Sequence, residues 1–503
     1  MEFPKFVSVR PNLPLKADSL ECQVSRLDGD LKKFKPKAAW SRNAKQAFAA
    51  QVKKTGRDLK GDSLLAQMSL AFDSGGEWHG LFISSRIKTF ELHASLRKAF
   101  EDALKRREGE TVRLTLTGLA TADQKRVLQA FASLCVLSFW RADCYGKKSK
   151  DKIKPISKVE VAGDLPAEDF KEIVSESLNL AGANNLVRTL GLTPSNHLHP
   201  ANYRAEIERR AKSRKYKMNF LNRAALTKMG AGAFLAVTQG SIEDEGGIVH
   251  LKYQPGTKKK KLVLVGKGLC FDTGGYNIKT GSYMYGMHKD MLGSAVALGI
   301  FETIAELKWD VEVHAFLALA ENLISHKAYR PNDVVTALDG TTIEVVDTDA
   351  EGRMVLSDTL ALASREKPDL LLDFATLTGS AIRALDTRRA ALFSTSEELL
   401  KLGFDVGEEC GERTWPLPMG EDYNEQLKSE IADLLQCSYG TNSDHCYAAT
   451  FLSKFVGEKT PWLHLDLTPA GNKGGLGLVS SEITGFGVRW GFEVAKRYFG
   501  DDS

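Results

Sequence analysis

With 503 residues, 43% of them hydrophobic and 26% charged, the chain has enough apolar material for one large core and a second, smaller one, so a multidomain globular protein is expected. The 68 basic and 64 acidic side chains leave a formal charge of +4, too small an excess to point to nucleic acid, and nothing approaches the roughly 20 apolar residues of a membrane span. No early stretch joins a basic segment, an apolar run and a small-residue cleavage site, so the expected location is the cytoplasm; seven scattered cysteines (Cys22, Cys135, Cys144, Cys270, Cys410, Cys437, Cys446) form no C-x-x-C pair and read as reduced thiols.

In chain order, Gly80–Ser85 and Thr111–Thr117 read as strands and Asp123–Ala142 as an apolar helix, making residues 1–165 a small α/β domain with no catalytic pattern. The basic run Lys147–Lys152 is expected to be a surface loop near the domain boundary, and Lys258–Lys261 a solvated turn. Pro166–Arg188 reads as a helix, so residues 166–190 are taken as the link to a second domain, residues 191–503. From about Lys215, the strands Lys261–Gly266, Val311–Ala318, Thr342–Val346, Asp369–Phe374 and Ala390–Phe393 alternate with helices at Gly293–Leu307, Arg353–Arg365 and Gly379–Leu385. That alternation predicts an α/β fold whose second domain holds a mixed, largely parallel sheet flanked by helices, with ligands bound beyond the carboxyl ends of the strands.

Those ends carry a dense set of charges. One expected strand is followed by Lys267-Gly268-Leu269-Cys270-Phe271-Asp272-Thr273-Gly274-Gly275, then Lys279 and Asp290; another by Asp347-Thr348-Asp349-Ala350-Glu351-Gly352-Arg353. Carboxylates this close raise one another's pKa unless a positive charge sits among them, and a pair of divalent ions sharing Asp272 and Glu351 would resolve the conflict. Oxygen-rich ligands suit Mn²⁺, Mg²⁺ or Zn²⁺, and glycines at 268, 274, 275 and 352 permit tight or positive-φ backbone beside such ions. Ordinary turn and helix-cap chemistry explains the same acids without any ion, and spacing leaves both readings open.

The run Val265–Gly275 with Ile278-Lys279, together with Asp-Thr-Asp-Ala-Glu-Gly-Arg at 347–353, resembles the two signatures of the leucyl aminopeptidase family. Further landmarks follow in family order: Thr193-Pro194-Ser195-Asn196, Met229-Gly230 with Gln239-Gly240-Ser241, Ala375-Thr376-Leu377-Thr378-Gly379, Lys428-Ser429 with Ile431-Ala432-Asp433, and Thr484–Arg489. The resemblance spans roughly Val187–Arg489, and a family-like N-terminal domain is inferred only by position. It implies a metal-dependent aminopeptidase whose residues 191–503 form the catalytic domain, acting on peptides with a free N-terminus.

By the resemblance, Lys267, Asp272, Asp290 and Glu351 would hold one metal ion and Asp272, Asp349 and Glu351 a second, Mn²⁺ or Zn²⁺. Lys267 would bind as a neutral amine, Lys279 would polarise the scissile carbonyl, and Arg353 would hold a small anion, bicarbonate. Met287, Thr376 and Gly379 would line the cleft for the first side chain or adjoining backbone. The family also implies a homohexamer, and a DNA-binding or scaffolding role is its non-catalytic rival.

Two departures bear on substrate choice. Relatives usually carry Asn where this chain has Asp347, on the leaving-peptide side of the cleft, which implies disfavour of acidic second residues. After Trp462–Asp466 the segment Leu467–Leu476 also differs from the small-residue stretch of relatives, so leucine preference is not implied. His445 and His464 read as structural histidines, Cys270 as a small buried residue, and Gly266-Lys267-Gly268 fits no nucleotide-binding fingerprint.

Overall fold

The computed structural model describes residues 3–9, 20–26, 46, 65–71, 77–84, 86–106, 110–142, 145, 156–241, 245–256, 260–438 and 440–500. It divides into two compact units, Met1–Gly182 with Leu476–Ser480, and Ala183–Gly475 with Ser481–Ser503. The division falls inside one long helix, Ala167–Leu192. Lys147–Lys152, Cys144, and the first two lysines of Lys258–Lys261 lie outside the described residues; Lys261 opens a strand.

The first unit contains strands β1 (Lys5–Val9), β2 (Leu20–Arg26), β3 (Leu65–Ala71), β4 (Glu77–Ile83), β5 (Thr111–Thr117) and β6 (Lys158–Ala162), in the order β1-β6-β5-β2-β4-β3. Only β3 joins antiparallel. Five successive residues of β5 are buried, as a strand covered on both faces requires. The core includes Val24, Val112, Leu114 and Phe131, the last packed edge-on against Phe100 of the helix Thr89–Arg106 at 5.1 Å. The expected helix Asp123–Ala142 runs Thr121–Leu137 instead, because the Phe139 and Trp140 amides bond only three residues back and tighten its end.

The second unit is built on an eight-stranded sheet of β7 (Lys217–Asn222), β8 (Gly247–Tyr253), β9 (Lys261–Asp272), β10 (Glu312–Asn322), β13 (Leu370–Ala375), β14 (Ala390–Phe393), β15 (Thr414–Pro416) and β17 (Trp462–Asp466), in the order β15-β14-β17-β13-β9-β10-β8-β7. β17, β13, β9 and β10 run parallel in the middle, with antiparallel joins at β14/β17, β10/β8 and β8/β7. A small sheet pairs β11 (Val334–Thr336), β12 (Thr342–Glu344) and β16 (Leu434–Leu435). The α/β architecture with a mixed sheet is as expected. β9 differs in extent: it continues six residues past Gly266, and every residue of the adjoining β10 is buried.

Glycines set the distance between this sheet and the helix Leu292–Glu306. A Cβ on Gly293 would lie 2.1 Å from the Phe374 carbonyl oxygen, and one on Gly266 2.4 Å from the Ser294 Cα, so here backbone rests on backbone. Among the described residues no helix is long and apolar enough to cross a membrane, and the six described cysteines are buried and form no disulfide. Gly293→Ala forces the helix off the sheet and is expected to cost about 3 kcal/mol, the upper range for overpacking, read as a lowered thermal midpoint.

Candidate metal centre

Lys267 and Asp272 are five residues apart on one strand, and an undistorted strand would point them to opposite faces. The pairing with β10 removes the conflict. Lys267 stands opposite Ala318 and Asp272 opposite Asn322, with the register slipping by one residue between them, so that Cys270 is the extra residue of a β-bulge. Both side chains therefore share a face at the carboxyl ends of the parallel strands. Burial pushes the Cys270 thiol well above its usual pKa, in keeping with an inert residue.

Beyond Asp272 the chain turns through Gly274 (φ +84°) and Gly275 (φ +64°), a conformation other residues rarely adopt. The Gly274 amide donates to Asp272 Oδ1 at 2.9 Å, and the turn returns Lys279 so that its Nζ lies 2.8 Å from Asp272 Oδ2 and 2.5 Å from Asp349 Oδ1. Glu351 is the first residue of the helix Glu351–Ser364, where unpaired amides favour an anion. Lys267 Nζ lies 3.0 Å from Glu351 Oε1 and 2.9 Å from Asp290 Oδ2, and donates to the Thr376 carbonyl at 3.1 Å. Thr376 in turn donates its hydroxyl to Asp290 Oδ1 at 2.6 Å. A Cβ on Gly352 would sit 2.7 Å from Lys267 Nζ, so glycine alone lets the ammonium reach the helix start.

Asp272, Asp290 and Glu351 are buried and present one oxygen each within 4.8 Å of one another. Burial first, then repulsion from Asp272, raises Glu351 to about 8 and Asp349 to about 6; Asp290 rises for the same two reasons against the pull of Lys267. For the lysines burial alone would lower the pKa, but Asp290, Glu351 and Asp272 around Lys267, and Asp272, Glu351 and Asp349 around Lys279, outweigh it and hold both as cations. Were all four carboxylates ionised they would face two ammonium groups with an excess of two negative charges, and the raised carboxyl pKa values are the response to that excess. Glu351 Oε2 is buried with no hydrogen-bond partner among the described residues, while Asp290 Oδ2 and Asp349 Oδ1 face lysine ammonium groups only. A donor set of clustered carboxylates with an orphaned buried oxygen is chemically suited to divalent cations.

Four residues that sequence reasoning passed over hold this arrangement. Asn322, at the end of β10, donates to Asp272 Oδ1 at 2.8 Å and to the Thr348 carbonyl at 2.9 Å; Tyr329 donates to the same carbonyl at 2.9 Å. Gln436 accepts from the Val346 and Asp347 amides at 3.0 Å each and donates to the Ala350 carbonyl at 3.1 Å. Asp444 takes Arg353 Nη2 at 2.6 Å. Strand register could have found Asn322; Tyr329 and Gln436 come from loops without a motif, and Asp444 opens the helix Asp444–Ser453.

Arg353 is buried: besides pairing with Asp444 it donates to the Gln436 carbonyl at 3.3 Å, and its Nε has no hydrogen-bond partner among the described residues. Asp347, half-buried, accepts the Asp349 amide at 2.8 Å. Met287 opens the short 3₁₀ turn that delivers Asp290, and Gly379 opens, exposed, the helix Gly379–Leu385. His464 pairs with Asp373 at 2.6 Å and His445 with Ser380 at 2.9 Å, structural partnerships both.

Residues 185–490 match the catalytic domain of the cytosol aminopeptidase family. The chain is 37% identical over 369 residues to a probable cytosol aminopeptidase of Sulfurihydrogenibium sp. (strain YO3AOP1), covering 72% of each chain, and 36% identical over 399 residues to one of Aquifex aeolicus (strain VF5), covering 78% of this chain and 79% of that one. Among solved structures it is similar to the bottromycin maturation enzyme BotP in complex with Mn, with a TM-score of 0.80, 30% identity, and coverage of 96% of this chain and 99% of that one.

Gln436→Leu strands two buried amides of the acidic loop and is expected to lower stability by about 2–3 kcal/mol in denaturant unfolding.

Proposed function

This chain belongs to the cytosol aminopeptidase family, and from that premise we propose that it releases amino acids from the free N-termini of peptides with a water activated between two divalent ions. The observation that carries this reading is the buried Asp272, Asp290 and Glu351 cluster with Asp349 beside it, four carboxylates that would outnumber the two lysines by two if all were ionised, and whose Glu351 Oε2 has no hydrogen-bond partner among the described residues.

Lys267, Asp272, Asp290 and Glu351 would hold one ion; Asp272, Asp349 and Glu351 would hold the other. Bound there, the pair supplies Lewis acidity that lowers the pKa of a shared water and favours the free α-amine and the developing oxyanion. Mn²⁺ and Zn²⁺ both suit these donors, and the similar enzyme BotP is a Mn complex. Lys267 must give up its proton to serve as a ligand, and the Thr376 carbonyl beside it orients the amine. Lys279, reaching from the other side of Asp272, stays cationic and polarises the scissile carbonyl. Arg353, anchored by Asp444, keeps its Nε for a small anion such as bicarbonate that relays the proton. Asn322 fixes the Asp272 carboxylate through an oxygen-directed amide, a supporting contact typical of metal ligands.

Met287, Asp347, Thr376 and Gly379 form the substrate side of the proposed cleft, with Thr376 also orienting Asp290 through its hydroxyl. Residues 1–165 form a non-catalytic domain, 166–190 the linking helix and 191–503 the catalytic domain. The working assembly is a homohexamer in the cytoplasm, acting without a membrane or nucleic-acid partner.

Protein stripped of metal and refilled with Mn²⁺, Zn²⁺ or Co²⁺ is expected to hydrolyse Leu-, Met-, Arg- or Asp-amides; no turnover with any ion would sink the activity. Glu351→Ala should lower kcat/KM by about 10²–10³-fold or more, as loss of one preorganised electrostatic group does. On a dipeptide panel at fixed metal, basic second residues should outpace acidic ones by roughly fivefold, the worth of one partly screened charge pair, and Asp347→Asn should erase the difference.

A further inference from the structure

Glu312, His314 and Phe316 alternate along the first half of β10, and the antiparallel register sets His314 opposite Lys252 and Phe316 opposite His250 of β8. Side chains two apart on a strand share a face, so His250, Lys252, Glu312, His314 and Phe316 all project to one side of the sheet. Glu366 reaches the same spot from the connection between the helix Glu351–Ser364 and β13. The position is at the amino end of β10: eight residues, roughly 26 Å of strand, separate His314 from Asn322 at the carboxylate cluster.

The donor atoms are already gathered. His314 Nδ1 lies 3.0 Å from His250 Nε2 and 3.4 Å from Glu366 Oε2, and all three donors fall within 4.8 Å of one another. Zinc–ligand bonds of about 2.0–2.1 Å at tetrahedral angles place neighbouring donors about 3.3 Å apart, so the two His314 distances fit closely and the His250–Glu366 pair, within 4.8 Å, lies in reach of that spacing. The rings are also held by groups outside the cluster. His314 Nε2 lies 2.8 Å from Glu312 Oε1, a carboxylate that only accepts, so the proton sits on Nε2 and the Nδ1 lone pair faces His250 and Glu366. Lys252 fixes Glu312 at 2.9 Å, and the His250 ring stacks on Phe316 at 4.1 Å and 11°.

We propose that His250, His314 and Glu366 form a second, separate binding site for a zinc-type divalent ion, with water in the fourth position. Two imidazoles and one carboxylate favour Zn²⁺, Co²⁺ or Ni²⁺ over Mg²⁺ or Ca²⁺. Burial holds His250 down to about 4 and lowers His314 as well, so both rings are neutral ligands at neutral pH. His250 now donates its Nε2 proton to His314; on binding it carries that proton on Nδ1 instead, with no net proton released. Lys261 lies 3.8 Å from Glu366 Oε2 but donates to the Glu366 main-chain oxygen at 2.6 Å, which keeps it from the centre of the cluster. An ion here would tie β8, β10 and the segment before β13 together far from the catalytic residues.

The test is zinc content of the full chain after equilibrium dialysis against micromolar Zn²⁺, with activity assayed alongside. Wild-type protein should retain one more ion per chain than either His250→Phe or Glu366→Gln, both variants should keep full aminopeptidase activity, and zinc should raise the thermal midpoint of the wild type more than theirs. Equal zinc content in all three proteins would reduce the cluster to a hydrogen-bonded histidine pair and overturn the proposal. A variant losing activity together with zinc would overturn the separateness of the site.

Discussion

Uncompensated negative charge at the carboxyl ends of β9 and β10 is the constraint around which the second unit is organised. Asp272, Asp290 and Glu351 are all but removed from water, a position no isolated carboxylate tolerates. Lys267 and Lys279 each bridge two of the acidic groups, and both are held cationic by the carboxylates despite their own burial. The remaining imbalance suits this cluster to divalent cations. Helix geometry contributes as well, since Glu351 occupies the first turn of its helix, the end where the macrodipole favours an anion.

Such a cluster needs a frame that does not relax. Gln436 closes three hydrogen bonds on the acidic loop, Thr348 ties that loop to the glycine turn through the Gly274 carbonyl at 2.7 Å, and Asn322 links both to Asp272. Close backbone contacts at Gly266 and Gly293 seat the neighbouring helix on the sheet, and Asp290 lies just before that helix. The positions of the buried carboxylates are thus set by backbone packing and by neutral hydrogen bonds as well as by the lysines between them.

Much of this was readable from residues alone because acidic motifs, glycines and strand periodicity are local properties. The alternating elements, the sheet class and the gathering of charges at strand ends follow from such patterns. What was not readable was non-local. Gly266 and Gly268 look like the end of a strand, yet β9 continues to Asp272 because β10 pairs with it throughout. Gln436 and Asp444 lie more than 80 residues from the groups they hold, the first in a loop and the second at the start of the helix Asp444–Ser453, where no local pattern ties them to those groups. The glycines at 268, 274, 275 and 352 looked alike, but only 274 and 275 adopt positive φ; Gly268 and Gly352 are required by crowding from Ala318 and Lys267. The two histidines of β8 and β10 escaped notice because 64 residues separate them, and only the antiparallel register makes them neighbours.

The bulge at Cys270 has a consequence for anyone moving this site to another scaffold. Lysine and aspartate five positions apart cannot both face a ligand from an ideal strand, so a graft onto a regular sheet must shorten or lengthen the interval to an even number, or import the irregularity with its partner strand. By the same parity, deleting Cys270 together with its bulge would leave an interval of four and keep both side chains on one face, whereas a one-residue deletion or insertion that left the bulge in place would swing one of them to the far side of the sheet.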